Sequence, residues 1–168
     1  MQVYKDTEKI ALTAILLAVT IILSWAETVL LTNLPTGVKL GLSNITIMTA
    51  VIFLNGKTGL ILTILKSGFV FLTRGVIAGA MSLSGGIFAL LIIFLLLKKT
   101  DCSYVFVSVT AAVCHIIGQL IFAVVITESV YVLAYIPVLL LASILSGILT
   151  GLILGAVVTA MKSISKKR

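Results

Sequence analysis

Six apolar runs separated by short polar segments make up most of this 168-residue chain, and they constrain its fold more than any other feature. Hydrophobic residues account for 61% of the sequence and charged residues for 10%. Soluble domains contain about 45–50% apolar and about 25% charged residues. The sequence therefore predicts a single-domain, all-α integral membrane protein, residues 1–168. Its six transmembrane helices are expected at about residues 9–31, 41–54, 58–73, 84–97, 104–127 and 131–161.

The distribution of basic residues predicts the orientation of these helices. The net charge is +7, but the cations lie singly or in pairs between apolar runs, without a basic face interleaved with aromatics, so no nucleic-acid partner is expected. A cytoplasmic amino terminus leaves only Lys39 and Arg74 on the outer side, with Lys66 inside the membrane. Both termini are therefore predicted to be cytoplasmic in a multi-pass protein of the cell membrane. The inner cations are then Lys5, Lys9, Lys57, Lys98, Lys99, Lys162, Lys166, Lys167 and Arg168.

The hairpin of residues 36–74 carries three cations where a membrane protein rarely has them. Its two apolar runs are short and hinge at residues 55–57, and Lys66 lies about 12 Å below Arg74 along the second helix. An ionisable group at such depth is costly and usually faces a cavity rather than lipid. We therefore expect Lys39, Lys66 and Arg74 to line a pocket for an anionic or strongly polar small molecule. Alternatively, Lys39 and Arg74 extend to lipid headgroups, and Lys66 pairs internally with Glu27 or Glu128.

Other polar residues are expected at a similar height. Asn44 lies one turn into the second helix, and His115 and Gln119 share a face of the fifth because they are four residues apart. Glu27 and Trp25 are at the outer end of the first helix. These residues predict a cup that opens to the outside. The competing interpretations are a hydrogen-bonded core histidine at position 115 and an interfacial anchor at Trp25.

No catalytic constellation is visible in the sequence, so the chain is not expected to be an enzyme. It has only five acidic residues, without paired aspartates for magnesium, a phosphate-binding loop or a Cys/His metal cluster. No cofactor or metal is therefore predicted. Cys102 and Cys114 do not form a disulfide framework. The first apolar run lacks a signal-peptide cleavage site and is expected to be retained.

Two patterns of small residues predict close helix packing. Ser143, Gly147, Gly151 and Gly155 recur every four residues in the last helix and favour packing inside the bundle. The first helix carries Ala14 and Ala18 at the same spacing, preceded by Ala11. This alanine face is of interest only if a partner subunit docks there.

The chain resembles the substrate-binding S components of energy-coupling factor (ECF) transporters. The features that carry the resemblance are six short helices, cytoplasmic termini, an outward cup, the A-x-x-x-A pattern of Ala14 and Ala18, and a basic tail. More narrowly, G-V-K-L-G-L-S-N at residues 37–44 is similar to the G-[VI]-K-L-G-L-[AS]-N signature of the bacterial family known as heptaprenyl diphosphate synthase component I, or Gx transporter.

The resemblance implies a substrate-binding subunit of an importer. A small molecule, such as a vitamin or an isoprenoid precursor, would be captured from outside, with residues 32–40 and 74–83 acting as lids. Ala11, Ala14 and Ala18 would dock on a transmembrane coupling subunit, and two ATPases would complete the complex. Two other hypotheses stay open: an accessory subunit of a lipid or quinone enzyme, and an assembly subunit of a membrane redox complex.

Overall fold

A computed structural model describes residues 6–30, 41–99 and 102–166. Every regular element in these ranges is helical, and five helices are long and apolar enough to cross a membrane, while α2 is a shorter apolar helix. The prediction of an all-α, multi-pass membrane protein is confirmed. The α-helices are α1 (Asp6–Leu30), α2 (Leu42–Phe53), α3 (Gly56–Arg74), α4 (Val76–Lys99), α5 (Tyr104–Thr127) and α6 (Ile136–Lys166), and a 3-10 helix (Val130–Tyr135) precedes α6.

From α2 to α6, successive helices run in opposite directions because the connections between them are short. α1 is antiparallel to α2, since Glu27 near the end of α1 binds Leu42 at the start of α2. The turn between α2 and α3 is closed by Asn55, whose side chain accepts a hydrogen bond from the Thr58 amide at 2.7 Å. Ser103 caps α5 in the same way by accepting from the Phe106 amide at 3.2 Å. This alternation places the start of α1 and the end of α6 at one end of the bundle. That end is the predicted cytoplasmic side, and the opposite end is called the outer end below.

The predicted outer connection at residues 74–83 is wrong. Only Gly75, with a φ of 90°, separates α3 from α4, and α4 begins at Val76. Gly79 in this segment and Gly85 just beyond it serve close helix packing rather than a loop. A Cβ at Gly79 would lie 2.8 Å from the Phe71 Cα, and one at Gly85 would lie 2.6 Å from the His115 carbonyl oxygen. Small residues let membrane helices approach closely, so a glycine-rich segment remains helical here.

Two of the three apolar core clusters among the described residues lie in the half of the bundle nearer the predicted cytoplasmic side. The largest cluster joins α2, α4, α5 and α6 through Met48, Ile93, Val107 and Leu154. The buried face of α1 is more polar, with Leu16, Thr20, Ser24 and Glu27 all buried. Thr20 shares a 2.6 Å hydrogen bond with Thr46 on α2. Buried polar groups on α1 therefore continue toward the outer end, where the candidate site lies.

Candidate functional site

The signature segment positions the amino terminus of α2 against α1. Gly41 has a φ of 68°, a conformation that favours glycine, and the chain enters α2 immediately after it. The Leu42 amide donates a hydrogen bond to the Glu27 carboxylate, which is 6% exposed. The amino terminus of a helix has unsatisfied amides and a partial positive charge, so it stabilises a carboxylate. Glu27 thus connects α1 to α2 at the point where the signature segment enters the helix.

Lys66 is buried beside this junction. Its side chain is 8% exposed, and the ammonium Nζ donates to Asn44 Oδ1 at 3.0 Å. Lys66 belongs to α3 and Asn44 to the first turn of α2, so this hydrogen bond joins the two helices of the predicted hairpin. The depth of Lys66 agrees with the sequence prediction that it does not face lipid.

A small polar cavity lies between these groups. Its volume is about 20 Å³, which is room for about one water molecule. Ser43 Oγ is fully buried here and has no hydrogen-bond partner among the described residues. The cavity is lined by Glu27, Gly41, Ser43, Asn44, Lys66, Ala112, His115, Ile116, Ser143 and Ser146. A carboxylate and an ammonium therefore line one cavity that is too small for an organic ligand.

His115 and Gln119 form the boundary between this cavity and a larger one. Their side chains are hydrogen bonded at 3.1 Å between His115 Nε2 and Gln119 Nε2, and both are buried. His115 lines the small cavity, Gln119 lines the large one, and Ile116 contributes to both. Gly85 allows α4 to pack closely against this pair, because a Cβ at position 85 would lie 2.8 Å from Gln119 Cγ.

The larger cavity is at the outer end and has a volume of about 410 Å³. This volume is within the range of pockets that bind small molecules. Most of the lining is aliphatic, and Arg74 is the one charged side chain among the described residues that line it. The lining residues are Arg74, Ala78, Met81, Ile116, Gln119, Leu120, Ala123, Thr127, Val132, Tyr135 and Leu139.

The structure separates the predicted site residues into two groups. Glu27, Asn44, Lys66 and His115 surround the small cavity, whereas Arg74 and Gln119 line the large one.

Two other residues, Trp25 and Glu128, line neither cavity. Trp25 is 60% exposed on the face of α1 that points away from the bundle, and it lines neither cavity. This position agrees with its alternative interpretation as an interfacial anchor. Glu128 lines neither cavity, so of the two proposed internal partners only Glu27 shares a cavity with Lys66. The prediction for Lys39 lies outside the described residues.

Sequence reasoning missed several residues at the site. Ser43 lies within the signature segment and could have been found there, and Ser146 follows Ser143 by one helical turn. Met81 and Tyr135 were assigned to a connection and to a lipid-spanning helix, so no local pattern marked them as cavity residues. Among the described residues, no group of three His, Cys, Asp or Glu side chains is placed to hold a metal ion.

Comparison with known families gives one decisive match. The family described as heptaprenyl diphosphate synthase component I matches residues 16–157. The chain belongs to this family. All residues that line the two cavities fall within the matched range, as does Ala18, whereas Ala11 and Ala14 precede it. Searches of curated proteins and of solved structures give no match.

Residues 41–44 have a structural role in this member of the heptaprenyl diphosphate synthase component I family. Within the described part of the signature, Gly41 turns the chain, Leu42 binds Glu27, and Asn44 binds Lys66. These residues therefore build the polar junction beneath the large cavity. The name of the family describes one component of a synthase with more than one component.

Proposed function

We propose that this chain is the substrate-binding membrane subunit, or S component, of an ECF-type importer. It captures an anionic or polar small molecule, of the vitamin or isoprenoid-precursor class, from the outer side and is not itself an enzyme. The observation that carries this proposal is the 410 Å³ cavity at the outer end, with Arg74 among its lining residues. A binding subunit needs a cavity of ligand size that opens to the outer side. In this proposal ATP hydrolysis is performed by the partner subunits.

Arg74 is the ligand-binding cation in this proposal. A guanidinium binds carboxylate or phosphate through paired hydrogen bonds, and each charge-assisted contact contributes about 1.5–3 kcal/mol. The Arg74 side chain has no ion-pair or hydrogen-bond partner within the described ranges, so it is available to a ligand. The sequence analysis expected Lys66 in the same pocket as Arg74. Lys66 instead lines the small cavity that lies beneath the large one.

The alanine face of α1 is the proposed docking surface for the coupling subunit. Ala11, Ala14 and Ala18 are all exposed, whereas Leu16 and Thr20 on the same helix are buried. An exposed row of small residues lets a second helix approach closely. The coupling subunit, carrying two ATPases, would contact this face.

We expect the double substitution Ala14→Leu and Ala18→Leu to abolish uptake and to leave ligand binding unchanged. The bulky side chains would hold the coupling helix away from α1, far from the outer cavity. The matched control is Ala156→Leu with Ala160→Leu, which has the same spacing on an exposed face of α6. Uptake in cells and ligand binding to the purified protein are measured for both variants. Normal uptake in the α1 variant would contradict docking at this face.

The second candidate is a non-catalytic accessory subunit of a prenyl diphosphate synthase, and the family match favours it. Affinity purification from the native membrane distinguishes the two functions. Recovery of a coupling membrane protein and two ATPases supports the importer. Recovery of a soluble prenyltransferase supports the accessory subunit, and recovery of redox proteins would support an assembly role instead.

A further inference from the structure

Glu27 and Lys66 line the small cavity without forming an ion pair. The structure describes both residues, and no side-chain nitrogen–oxygen distance between them is 4.0 Å or shorter. Among the described residues, the Lys66 ammonium, which has three protons, donates only to Asn44 Oδ1. The Glu27 carboxylate accepts only from the Leu42 amide. Both groups therefore have unused hydrogen-bonding capacity across a gap, and a water molecule commonly bridges polar groups at such a separation.

Ser43 adds a third polar group to the same cavity. It lies in the first turn of α2, and its side chain is 0% exposed. Its Oγ has no hydrogen-bond partner among the described residues. Buried hydroxyls in proteins are almost always hydrogen bonded, because an unpaired one has lost its hydration without replacement. The Ser43 hydroxyl therefore indicates an occupant of the cavity that forms hydrogen bonds.

The size and the charge of the small cavity determine which occupant fits. Its volume of about 20 Å³ accommodates one water-sized group. The Lys66 ammonium and the partial positive charge at the start of α2 repel a sodium ion. The Glu27 carboxylate repels a chloride ion. A water molecule is neutral, and it accepts from an ammonium while donating to a carboxylate and to a hydroxyl oxygen.

We propose that the small cavity is a binding site for one water molecule, which bridges Lys66 Nζ, the Glu27 carboxylate and Ser43 Oγ. The water accepts a hydrogen bond from Lys66 and donates one proton to Glu27 and the other to Ser43. These residues belong to α3, α1 and α2, so the water joins three helices at the point where α2 begins. It also connects two buried charges that are farther apart than an ion pair. The site is separate from the outer cavity and does not depend on the proposed function.

Ser43→Ala gives opposite results for a hydrated and an empty cavity. If the water is bound, the substitution removes one of its hydrogen bonds, and we expect the equilibrium constant for unfolding in detergent to rise about fivefold. If the cavity is empty, the substitution removes an unpaired buried hydroxyl and makes the protein more stable. The control, Ser163→Ala, removes an exposed hydroxyl from α6 and measures the helix preference of alanine. An equilibrium constant for Ser43→Ala equal to or below that of the control would overturn the proposal.

A second experiment locates the occupant directly and distinguishes water from an ion. In an experimental structure of the full chain that shows ordered water, we expect one density peak at about 2.5–3.2 Å from Lys66 Nζ, Ser43 Oγ and a Glu27 carboxylate oxygen. A cavity closed by a direct Lys66–Glu27 ion pair would contradict the proposal. At equal ionic strength, the unfolding midpoint should be the same in sodium chloride, choline chloride and sodium gluconate. A midpoint that depends on sodium or on chloride would identify an ion as the occupant and overturn the proposal. Both experiments use the protein without ligand, so their outcome leaves the proposed function unaffected.

Discussion

Lys66→Met is expected to lower the free energy of unfolding by about 3 kcal/mol or more. The substitution removes the hydrogen bond to Asn44 Oδ1 and leaves the Glu27 carboxylate without the cation that shares its cavity. An uncompensated buried charge is among the most destabilising changes a protein can undergo. Chemical unfolding of the purified protein in detergent measures the loss.

A double-mutant cycle with Glu27 tests the physical reason for this loss. Glu27→Gln removes the charge while keeping a side-chain oxygen that accepts from the Leu42 amide. If the two charges compensate each other, Lys66→Met combined with Glu27→Gln is more stable than Lys66→Met alone. The control, Lys98→Met, removes an exposed cation and changes stability by less than about 1 kcal/mol. A Lys66→Met protein as stable as wild type but unable to bind ligand would show that Lys66 serves the ligand directly.

The sequence predicted the helical architecture because apolar runs of membrane length permit few alternatives. It also predicted that Lys66 avoids lipid, since burying an ammonium is costly whatever its partner. The partner could not be predicted in the same way. Asn44, Glu27 and Glu128 were all at a suitable height, and only the approach of α2 to α1 brings Glu27 and Asn44 to the cavity that Lys66 lines.

The division of the site into two cavities was beyond sequence reasoning for a related reason. His115 and Gln119 were correctly placed on one helical face. Their position between the small and the large cavity depends on the close approach of α4 at Gly85. Gly85 lay inside the predicted fourth helix, 84–97, but the sequence does not show which neighbouring helix a glycine will contact. Glycine and serine favour loops in water, whereas in a membrane they also mark helix contacts.

Trp25 illustrates an error that periodicity could have prevented. Leu16, Thr20 and Glu27 are buried at helical spacing on α1, and Trp25 falls on the opposite side of the helix together with Ala18. A helical-wheel comparison of polar residues in the first run would have separated Trp25 from Glu27. The same comparison would have placed Trp25 on the alanine face rather than in the cup.

Gly151→Ala is expected to destabilise the contact between α5 and α6, which forms a wall of both cavities. A Cβ at Gly151 would lie 2.5 Å from the Val105 Cα, and one at Gly147 would lie 2.6 Å from the Val109 Cα. These neighbours are backbone atoms, so the clash is relieved only if the helices move apart. Overpacking of this kind costs about 1–3 kcal/mol, and Gly151→Leu is expected to prevent folding.

The same helix provides the control for this prediction. A Cβ at Gly155, one turn beyond Gly151, meets only Tyr104 Cδ2 at 4.0 Å, which is ordinary van der Waals contact. Gly155→Ala should therefore be neutral or slightly stabilising, because alanine favours helix over glycine. Separation of α5 from α6 would also break the 2.8 Å hydrogen bond between Ser108 and Thr150 and shift Leu139 and Ile116 on the wall of the outer cavity. Gly151→Ala should consequently weaken ligand binding as well as stability, and equal stability of the Gly151→Ala and Gly155→Ala proteins would contradict the close α5–α6 packing.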